Sequence, residues 1–432
     1  MRWFLNILII AFLAASINLA TRGEATAATP VRIGVPERGN IQFLSFWVAM
    51  GAGYLEAEGL DVQLVVAQAP NQSGQLLLRH QSDVALLQPP VYLGLMAQER
   101  PIVLFANLLA NDPINLVVRP EIVNRLKLDP HAPLVDRLKA LEGLRIGVAN
   151  EPPRRLRVLF QQAGMDASRD IRMTIIPGEE QVAAYRDGTV DALYAHTPFL
   201  EEALVGLGAV LLVNQSAGEV PQLSNGEIHS LAATREYADA HPDVLLAVTR
   251  AIARAQVLIH TDSKAAAQAL LKAGISAPTP KHLSTIVELY QPAVPMTPRV
   301  SASAIERDAM LYPARPAMPD FTKVHAADFL APTFAEQASQ PHEEASQPRE
   351  QASKPREETS QPPARDDPVQ PAEREDANQP FRLGVVNVNV TAPVSVTALS
   401  PISNSLDRTE IQNRLALTVN QAIEYLPGVT VD

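Results

Sequence analysis

Cysteine is absent from the 432-residue chain. Without thiols the protein cannot form disulfide bonds, use a thiolate nucleophile or hold a metal with cysteine ligands. A lipid-anchored N-terminus needs a cysteine at the start of the mature chain, so we expect no such anchor. The nine histidines show neither an HExxH motif nor a pair four residues apart, and the sequence has no GxSxG elbow. We therefore expect no metal site and no cofactor.

The chain also lacks a cationic excess. Lysine and arginine total 36 against 47 aspartate and glutamate residues, which gives a net charge of −11. Nucleic acid is thus not expected as a partner, because neutralising phosphates requires a basic surface. A small ligand of either charge is still compatible, because a pocket can differ locally from the whole surface. The length allows two or three domains.

The first 28 residues have the pattern of an export signal. Arg2 supplies the charge at the start, an apolar stretch follows over residues 3–19, and small residues at 25–28 suit cleavage near Ala27 or Ala28. The alternative is an uncleaved membrane anchor, for which the apolar stretch is only marginally long enough. We favour a cleaved signal peptide at residues 1–28 and an exported protein.

Near-identical seven-residue units follow the first two thirds of the chain. They read EQASQPH (336–342), EEASQPR (343–349), EQASKPR (350–356) and EETSQPP (357–363). The units lack large apolar side chains and each carries a proline, so they cannot bury enough surface to offset the entropy of ordering. A coiled coil is excluded because the seam positions have no Leu, Ile or Val. We predict a disordered linker over residues 335–379.

Before this linker, runs typical of strands alternate with segments of helical spacing. Such alternation predicts a mostly parallel sheet with helices on both faces. VRIGV at residue 31 and RIGVA at residue 145 each open a β-α-β-α-β series, which predicts two α/β lobes with a cleft between them. The predicted strands are 31–35, 60–66, 83–87, 102–109, 144–148, 171–176 and 192–195; the predicted helices are 43–58, 73–80, 91–98, 154–163 and 179–187.

Six segments in this region carry a family resemblance. In order they are GYLEAEGLDVQLV (53–65), DVALLQPP (83–90), ERPIVLFANL (99–108), LKALEGLRIGVANE (138–151), DGTVDALYAHTPFLEEALVGLG (187–208) and YADAHPDVLLAVTRAIARA (237–255). Together they resemble the periplasmic substrate-binding proteins of ABC importers, in the nitrate, sulfonate, taurine and thiamine-pyrimidine group. The resemblance covers residues 30–274.

This resemblance implies a bilobal, type II-like periplasmic-binding-protein fold in which two parallel-sheet lobes surround a cleft. Residues 30–117 and 225–330 would form the first lobe and residues 118–224 the second, joined by two crossovers. It also implies a periplasmic protein that captures a small solute, sulfonate-, nitrate- or pyrimidine-like, by hinge closure and delivers it to an ABC permease. Such a protein needs a desolvated cleft and directed polar groups, but no catalytic residue.

In this fold the ligand contacts come from loops that follow strands. The first lobe would contribute three such loops and the second lobe two. The candidate ligand-binding residues are Asn40, Gln42 and Phe43; Gln88, Pro89 and Val91; Asn111 and Asp112; Asn150, Glu151, Arg154 and Arg155; and His196, Thr197 and Phe199.

Several of these residues have an equally simple structural interpretation. Gln88 before two prolines fits a turn, Asn111 and Asp112 fit a turn and helix cap, and His196 fits a satisfied buried histidine. Where related proteins often hold an oxyanion at a helix N-terminus, Pro152 and Pro153 remove two backbone donors, which argues against sulfonate or nitrate. Arg154 and Arg155 could instead clamp a carboxylate or phosphate, or lie at the surface.

Enzyme functions fit the sequence poorly. The thiamine-pyrimidine synthases resemble this fold, but they depend on a cysteine-rich motif that this chain lacks. Gly51 and Gly53 are not followed by the third glycine of a dinucleotide-binding fingerprint. We therefore predict a binding protein and not an enzyme.

The end of the chain has a second resemblance. VNVNVTAP (386–393) alternates in β fashion, and the segment ending in AIEYLPGV (422–429) has helical spacing up to its proline and glycine. Residues 383–432 resemble the opening of the plug domain of TonB-dependent outer-membrane receptors, a small α+β fragment without the barrel. This implies either a truncated reading frame or a second function: a binding module fused to a truncated receptor, with TonB or an outer-membrane receptor as partner.

Overall fold

The computed structural model describes residues 28–149, 153–197, 199–275, 277–312 and 319–339. All of them belong to one unit of the chain, residues 1–341, and a second unit spans residues 342–432. The predicted signal peptide, most of the predicted linker and the plug-like segment lie outside the described residues, so those three stay predictions.

The strands form two five-stranded sheets. In chain order the strands are β1 (Thr29–Val35), β2 (Leu60–Val66), β3 (Val84–Leu87), β4 (Ile102–Leu109), β5 (Asn115–Val118), β6 (Arg145–Val148), β7 (Arg172–Ile175), β8 (Ala192–Ala195), β9 (Val210–Val213) and β10 (His229–Thr234).

The α-helices fill the connections between strands and the region after β10. They are α1 (Leu44–Gly51), α2 (Tyr54–Ala57), α3 (Ser73–Leu78), α4 (Pro89–Ala97), α5 (Pro120–Leu126), α6 (Leu134–Lys139), α7 (Pro153–Gln161), α8 (Gly178–Arg186), α9 (Phe199–Gly206), α10 (Arg235–Ala240), α11 (Pro242–Thr261), α12 (Ser263–Lys272), α13 (Pro280–Tyr290), α14 (Ala302–Ala309) and α15 (Thr333–Ala338).

The two sheets share one topology. The first has the order β2-β1-β3-β10-β4 and the second has the order β7-β6-β8-β5-β9. In each sheet one strand, β10 or β5, runs antiparallel to both of its neighbours, and the other four strands share one direction. The chain passes to the second sheet after β4 and returns before β10. The predicted two-lobed α/β fold is confirmed.

The limits of the lobes differ in detail from the sequence-based expectation. Strand β5 begins at Asn115, so the second sheet starts before the predicted boundary between residues 117 and 118. Helix α15 runs through Ala338 with Ala335 buried, because Phe334 and Ala335 still pack against the body of the protein. The described chain therefore stays ordered three residues beyond the predicted start of the linker.

Helices cover both faces of each sheet. On one face of the first sheet, β1 packs with α1 and α11 around the buried Trp47. On the other face, β3 and β4 pack with α4 and α14 around Tyr92. Helix α11 is long and apolar enough to cross a membrane, but more than half of its most apolar stretch is buried, as in the core helix of a globular protein.

Local sequence explains where several helices begin. The side chains of Thr234, Asp262 and Ser301 accept hydrogen bonds from backbone N–H groups in the first turns of α10, α12 and α14. Helix α4 begins at Pro89, two residues before the predicted start, because a proline at the first helical position loses no hydrogen bond.

Candidate ligand-binding site

A cavity of about 290 Å³ lies where loops of the two sheets meet. The loop after β1 provides one side and the loop after β8 provides the other, so both sheets present their carboxyl edges to it. Five predicted ligand-binding residues line this cavity: Asn40, Gln42, His196, Thr197 and Phe199. The other lining residues are Glu37, Gly39, Ile41, Ile275 and Ile286.

The loop after β1 is fixed by its own side chains. Asn40 Oδ1 accepts a hydrogen bond of 3.0 Å from the Gln42 backbone N–H, and the Asn40 carbonyl accepts one of 2.7 Å from Trp47 Nε1. Because Trp47 is buried in the core, the position of Asn40 is coupled to the packing of the first lobe. The polar groups of this wall are thus held in place before any ligand arrives.

Gln42 connects the cavity to a buried histidine. His229, the first residue of β10, donates from Nε2 to Gln42 Oε1 at 3.1 Å. Its ring packs against Phe43 at a tilt of 57°, with 4.5 Å between centroids. Burial lowers the pKa of His229 to about 3, so its imidazole is neutral at physiological pH. Phe43 is fully buried behind the wall and does not line the cavity.

The opposite wall contains a buried carboxylic acid. Thr197 Oγ1 donates a hydrogen bond of 2.8 Å to Glu201 Oε1 in α9, and both side chains are buried. Burial raises the pKa of Glu201 to about 7. Burial also lowers the pKa of His196, so that imidazole is neutral at pH 7 as well. This wall therefore offers hydroxyl and imidazole groups with little formal charge.

Three further predicted residues come together beside the cavity. Arg155 of α7 pairs with the Asp112 carboxylate, and its Nη2 donates a hydrogen bond of 2.7 Å to the Tyr312 hydroxyl. Arg154 donates to the Leu311 carbonyl, and the guanidinium carbons of both arginines lie 5.6 Å from the centroid of the Tyr312 ring. Although burial opposes it, Asp112 raises the pKa of Arg155 above its ordinary value. Here the arginines serve the protein's own contacts.

Asn111 joins the two crossovers between the sheets. Its Nδ2 donates to the Ser216 carbonyl at 2.9 Å and to the Pro292 carbonyl at 3.3 Å, while its Oδ1 accepts from the Asn225 backbone N–H at 2.9 Å. Ser216 follows β9, and Asn225 precedes β10, so this side chain fixes both connections at one point. Asn111 thus holds together the two connections between the sheets.

The remaining predicted residues lie apart from the cavity or outside the described residues. Gln88 is the N-cap position of α4 and makes no side-chain capping bond, Pro89 is buried at the helix start, and Val91 packs with the apolar cluster around α4. Asn150 and Glu151 fall in the segment that is not described.

Sequence reasoning missed His229 and Tyr312. His229 reaches the site because β10 runs antiparallel, which places its first residue at the edge where the parallel strands end. Tyr312 follows α14, far along the chain, and contacts the second lobe. The histidine could have been found by predicting β10 as an antiparallel insertion; for the tyrosine the sequence offers no local pattern.

Several solved structures share the fold of this protein. No curated protein matches the chain by sequence. A structure from Bordetella bronchiseptica RB50 is 21% identical with a TM-score of 0.52, covering 72% of this chain and 96% of that one. The periplasmic aliphatic sulphonate binding protein SsuA from Escherichia coli is 18% identical with a TM-score of 0.50, covering 70% and 98%. These identities support a shared fold.

An enzyme is also among the similar structures. The desulfurization enzyme DszB is 16% identical with a TM-score of 0.47, covering 72% of this chain and 98% of that chain, a likeness too low to bear on function. The model of the NMT1-like family matches residues 24–275, more than half of the sequence. The chain belongs to the NMT1-like family.

Proposed function

We propose that this protein is the solute-binding component of an ABC-type importer, exported to the periplasm. The observation that carries the proposal is the cavity itself, which takes polar groups from both sheets: Asn40 and Gln42 on one side, His196 and Thr197 on the other. A site divided in this way is complete only when the two lobes approach each other. Ligand binding and lobe closure are therefore coupled.

The crossovers suit such a motion. Two connections, residues 110–114 and 214–228, join the sheets. Asn111, in the first connection, bonds to Ser216 and Asn225 in the second and to Pro292 of the first lobe. A rotation about this point changes the distance between the cavity walls while each sheet stays intact. The closed form would then be recognised by a permease, which would receive a small solute that is sulfonate-, nitrate- or pyrimidine-like.

The chemistry of the walls supports capture without conversion. Gln42 is bonded to His229, and Thr197 is bonded to Glu201, so both polar side chains are oriented by partners behind them. The apolar remainder of the wall, which includes Ile41, Phe199 and Ile286, provides a surface from which a ligand displaces water. Turnover of a bound solute by the purified protein would contradict this function.

A thermal-shift screen of the purified chain tests the proposal. Ethanesulfonate, nitrate, 4-aminopyrimidine, small carboxylates and small amines would be compared, because a ligand that binds only the folded state raises the melting temperature. At 100 times its Kd a true ligand adds about 2.7 kcal/mol to the free energy of unfolding. Gln42→Ala should abolish most of the shift, whereas Gln75→Ala, an exposed glutamine on α3, should keep it. The absence of any shift across the whole screen would refute a solute-binding role.

A further inference from the structure

The charge of the cavity wall is unusual for a site that would hold an anion. Among its described lining residues, only Glu37 and His196 have ionisable side chains, and none is lysine or arginine. His196 is neutral at pH 7 because burial lowers its pKa. Arg38, next to Glu37 in the chain, is exposed and does not line the cavity. The formal charge at the wall is thus the negative charge of Glu37.

Glu37 has an unmatched carboxylate. It is an exposed residue at the rim of the cavity, where neighbouring groups exclude part of its water and raise its pKa. No hydrogen bond or ion pair to Glu37 is formed within the described part of the chain. A carboxylate that loses water without gaining a partner is stabilised when a cation binds beside it.

The two arginines that the sequence suggested as an anion clamp, Arg154 and Arg155, are already engaged. Arg155 is buried with Asp112 as its counter-charge and with the Tyr312 hydroxyl as a hydrogen-bond acceptor. Arg154 donates to the Leu311 carbonyl and lies over the Tyr312 ring. An anionic ligand would have to break a buried ion pair to recruit Arg155, which costs several kcal/mol in proteins generally.

The helix terminus beside the site does not replace them. Helix α7 begins at Pro153 and is preceded by Pro152, and neither residue has a backbone N–H. A helix N-terminus binds anions through such N–H groups, so this one is a weak anion site. Neither the backbone of this helix terminus nor the two arginine side chains therefore favour an anionic ligand.

The remaining walls select a ligand with an apolar body. Ile41, Phe199, Ile275 and Ile286 surround the cavity with hydrocarbon, and the amide side chains of Asn40 and Gln42 offer hydrogen-bond groups at one side. We propose that the cavity binds a small organic cation, a protonated amine or amidine on an apolar body, with the Glu37 carboxylate as counter-charge. This inference rests on the proposed solute-binding function and narrows its ligand class away from sulfonate and nitrate.

Matched pairs of probes test the inference on the full chain. Benzylamine and phenylmethanesulfonate share one carbon skeleton and differ in charge, as do cyclohexylamine and cyclohexanesulfonate; sodium nitrate completes the set. Binding is measured by ligand-observed NMR and by thermal shift. We expect each amine to bind at least about tenfold more tightly than its sulfonate, because like charges across a binding surface are strongly unfavourable.

Charge-neutral variants identify the group responsible. Glu37→Gln should weaken amine binding by about fivefold, the range of a partly exposed ion pair, and should leave sulfonate binding unchanged or improved. Glu288→Gln, an exposed glutamate on α13 outside the cavity, should leave both unchanged.

The outcomes separate the inference from the function on which it rests. Amine binding that requires Glu37 supports both. Tighter binding of a sulfonate or nitrate overturns the ligand class and leaves the solute-binding function intact. Failure of every probe in this set overturns the ligand class, while the wider thermal-shift screen still decides whether the protein binds a solute.

Discussion

Arg155 and Asp112 form a buried ion pair that joins the two lobes. Arg155 belongs to α7 beside the second sheet, and Asp112 lies in the crossover that leaves the first sheet. Both side chains are less than a tenth exposed. A charge pair in this place fixes the geometry of the crossover and withholds the arginine from the ligand cavity.

Removing one partner of this pair should be costly. Arg155→Met leaves the Asp112 carboxylate buried without a counter-charge, and we expect a loss of roughly 3–5 kcal/mol in the free energy of unfolding, measured by urea denaturation. The double variant Arg155→Met/Asp112→Asn should be more stable than Arg155→Met alone, because no charge is left buried. Arg169→Met is the control: its pair with Asp170 is 76% exposed on the arginine side, and its loss should cost at most about 1 kcal/mol. Equal losses for Arg155→Met and Arg169→Met would show that the buried pair has no special role.

The Tyr312 hydroxyl should contribute separately. Tyr312→Phe removes the acceptor of the 2.7 Å bond from Arg155 but keeps the ring beneath the guanidinium groups, so we expect a loss of about 1.5–3 kcal/mol in urea denaturation. Tyr54→Phe is a matched control, since Arg254 also lies over that ring, 4.2 Å from its centroid, and the hydroxyl of Tyr54 accepts no guanidinium bond in the described structure. If both variants lose the same stability, the bond to Arg155 contributes nothing of its own.

Sequence reasoning located seven of the ten described strands, because these are short apolar runs that end at turn-forming loops. It missed β5, β9 and β10, and β10 reads HSLAAT, which has no strand-like composition. This segment becomes a strand because it lies between β3 and β4 and pairs with both of them. A sequence-based prediction of local structure has no access to such partners.

The same distinction applies to the site. The rule that loops after parallel strands form the cleft led to Asn40, Gln42 and His196, which the structure places around one cavity. It also pointed to Arg155 and Asp112, whose pairing depends on distant parts of the chain meeting in space. Tertiary packing decides whether a candidate side chain faces the cavity or pairs with another residue of the protein.

A methyl group added at Gly178 should displace Phe199, one of the residues that line the cavity. A Cβ at Gly178 would lie 2.4 Å from Phe199 Cε2, so Gly178→Ala must displace the ring that lines the cavity. We expect at least a fivefold loss of ligand affinity by calorimetry, as expected when an aromatic contact is misplaced. Gly94→Ala on α4 meets nothing within 4 Å and should stabilise the protein by about 0.4–1 kcal/mol without changing affinity. Unchanged affinity in Gly178→Ala would mean that Phe199 does not contact the ligand.

Stability should depend on pH through Glu227. This buried glutamate accepts hydrogen bonds from Ser230, Asn107 and Ser301, yet burial raises its pKa to about 8. In the unfolded chain a glutamate ionises near pH 4.3, so the unfolded state releases this proton first as pH rises. The contribution of Glu227 to stability is therefore present below about pH 4 and is lost between there and pH 8.

Glu227→Gln removes this titration. Relative to the unsubstituted protein, the variant should gain stability in urea denaturation on going from pH 5 to pH 8. Parallel stability curves for the two proteins over this range would contradict a raised pKa at Glu227.

Closure of the two lobes around a solute is the central claim, and the absence of cysteine makes it directly measurable. Lys264→Cys on α12 and Lys139→Cys on α6 place one exposed thiol on each lobe. Spin labels attached to these thiols report the distance between the lobes by pulsed electron–electron double resonance. With a ligand found in the thermal-shift screen at saturation, we predict a shorter and narrower distance distribution than without it. Identical distributions in the presence and absence of that ligand would contradict the account.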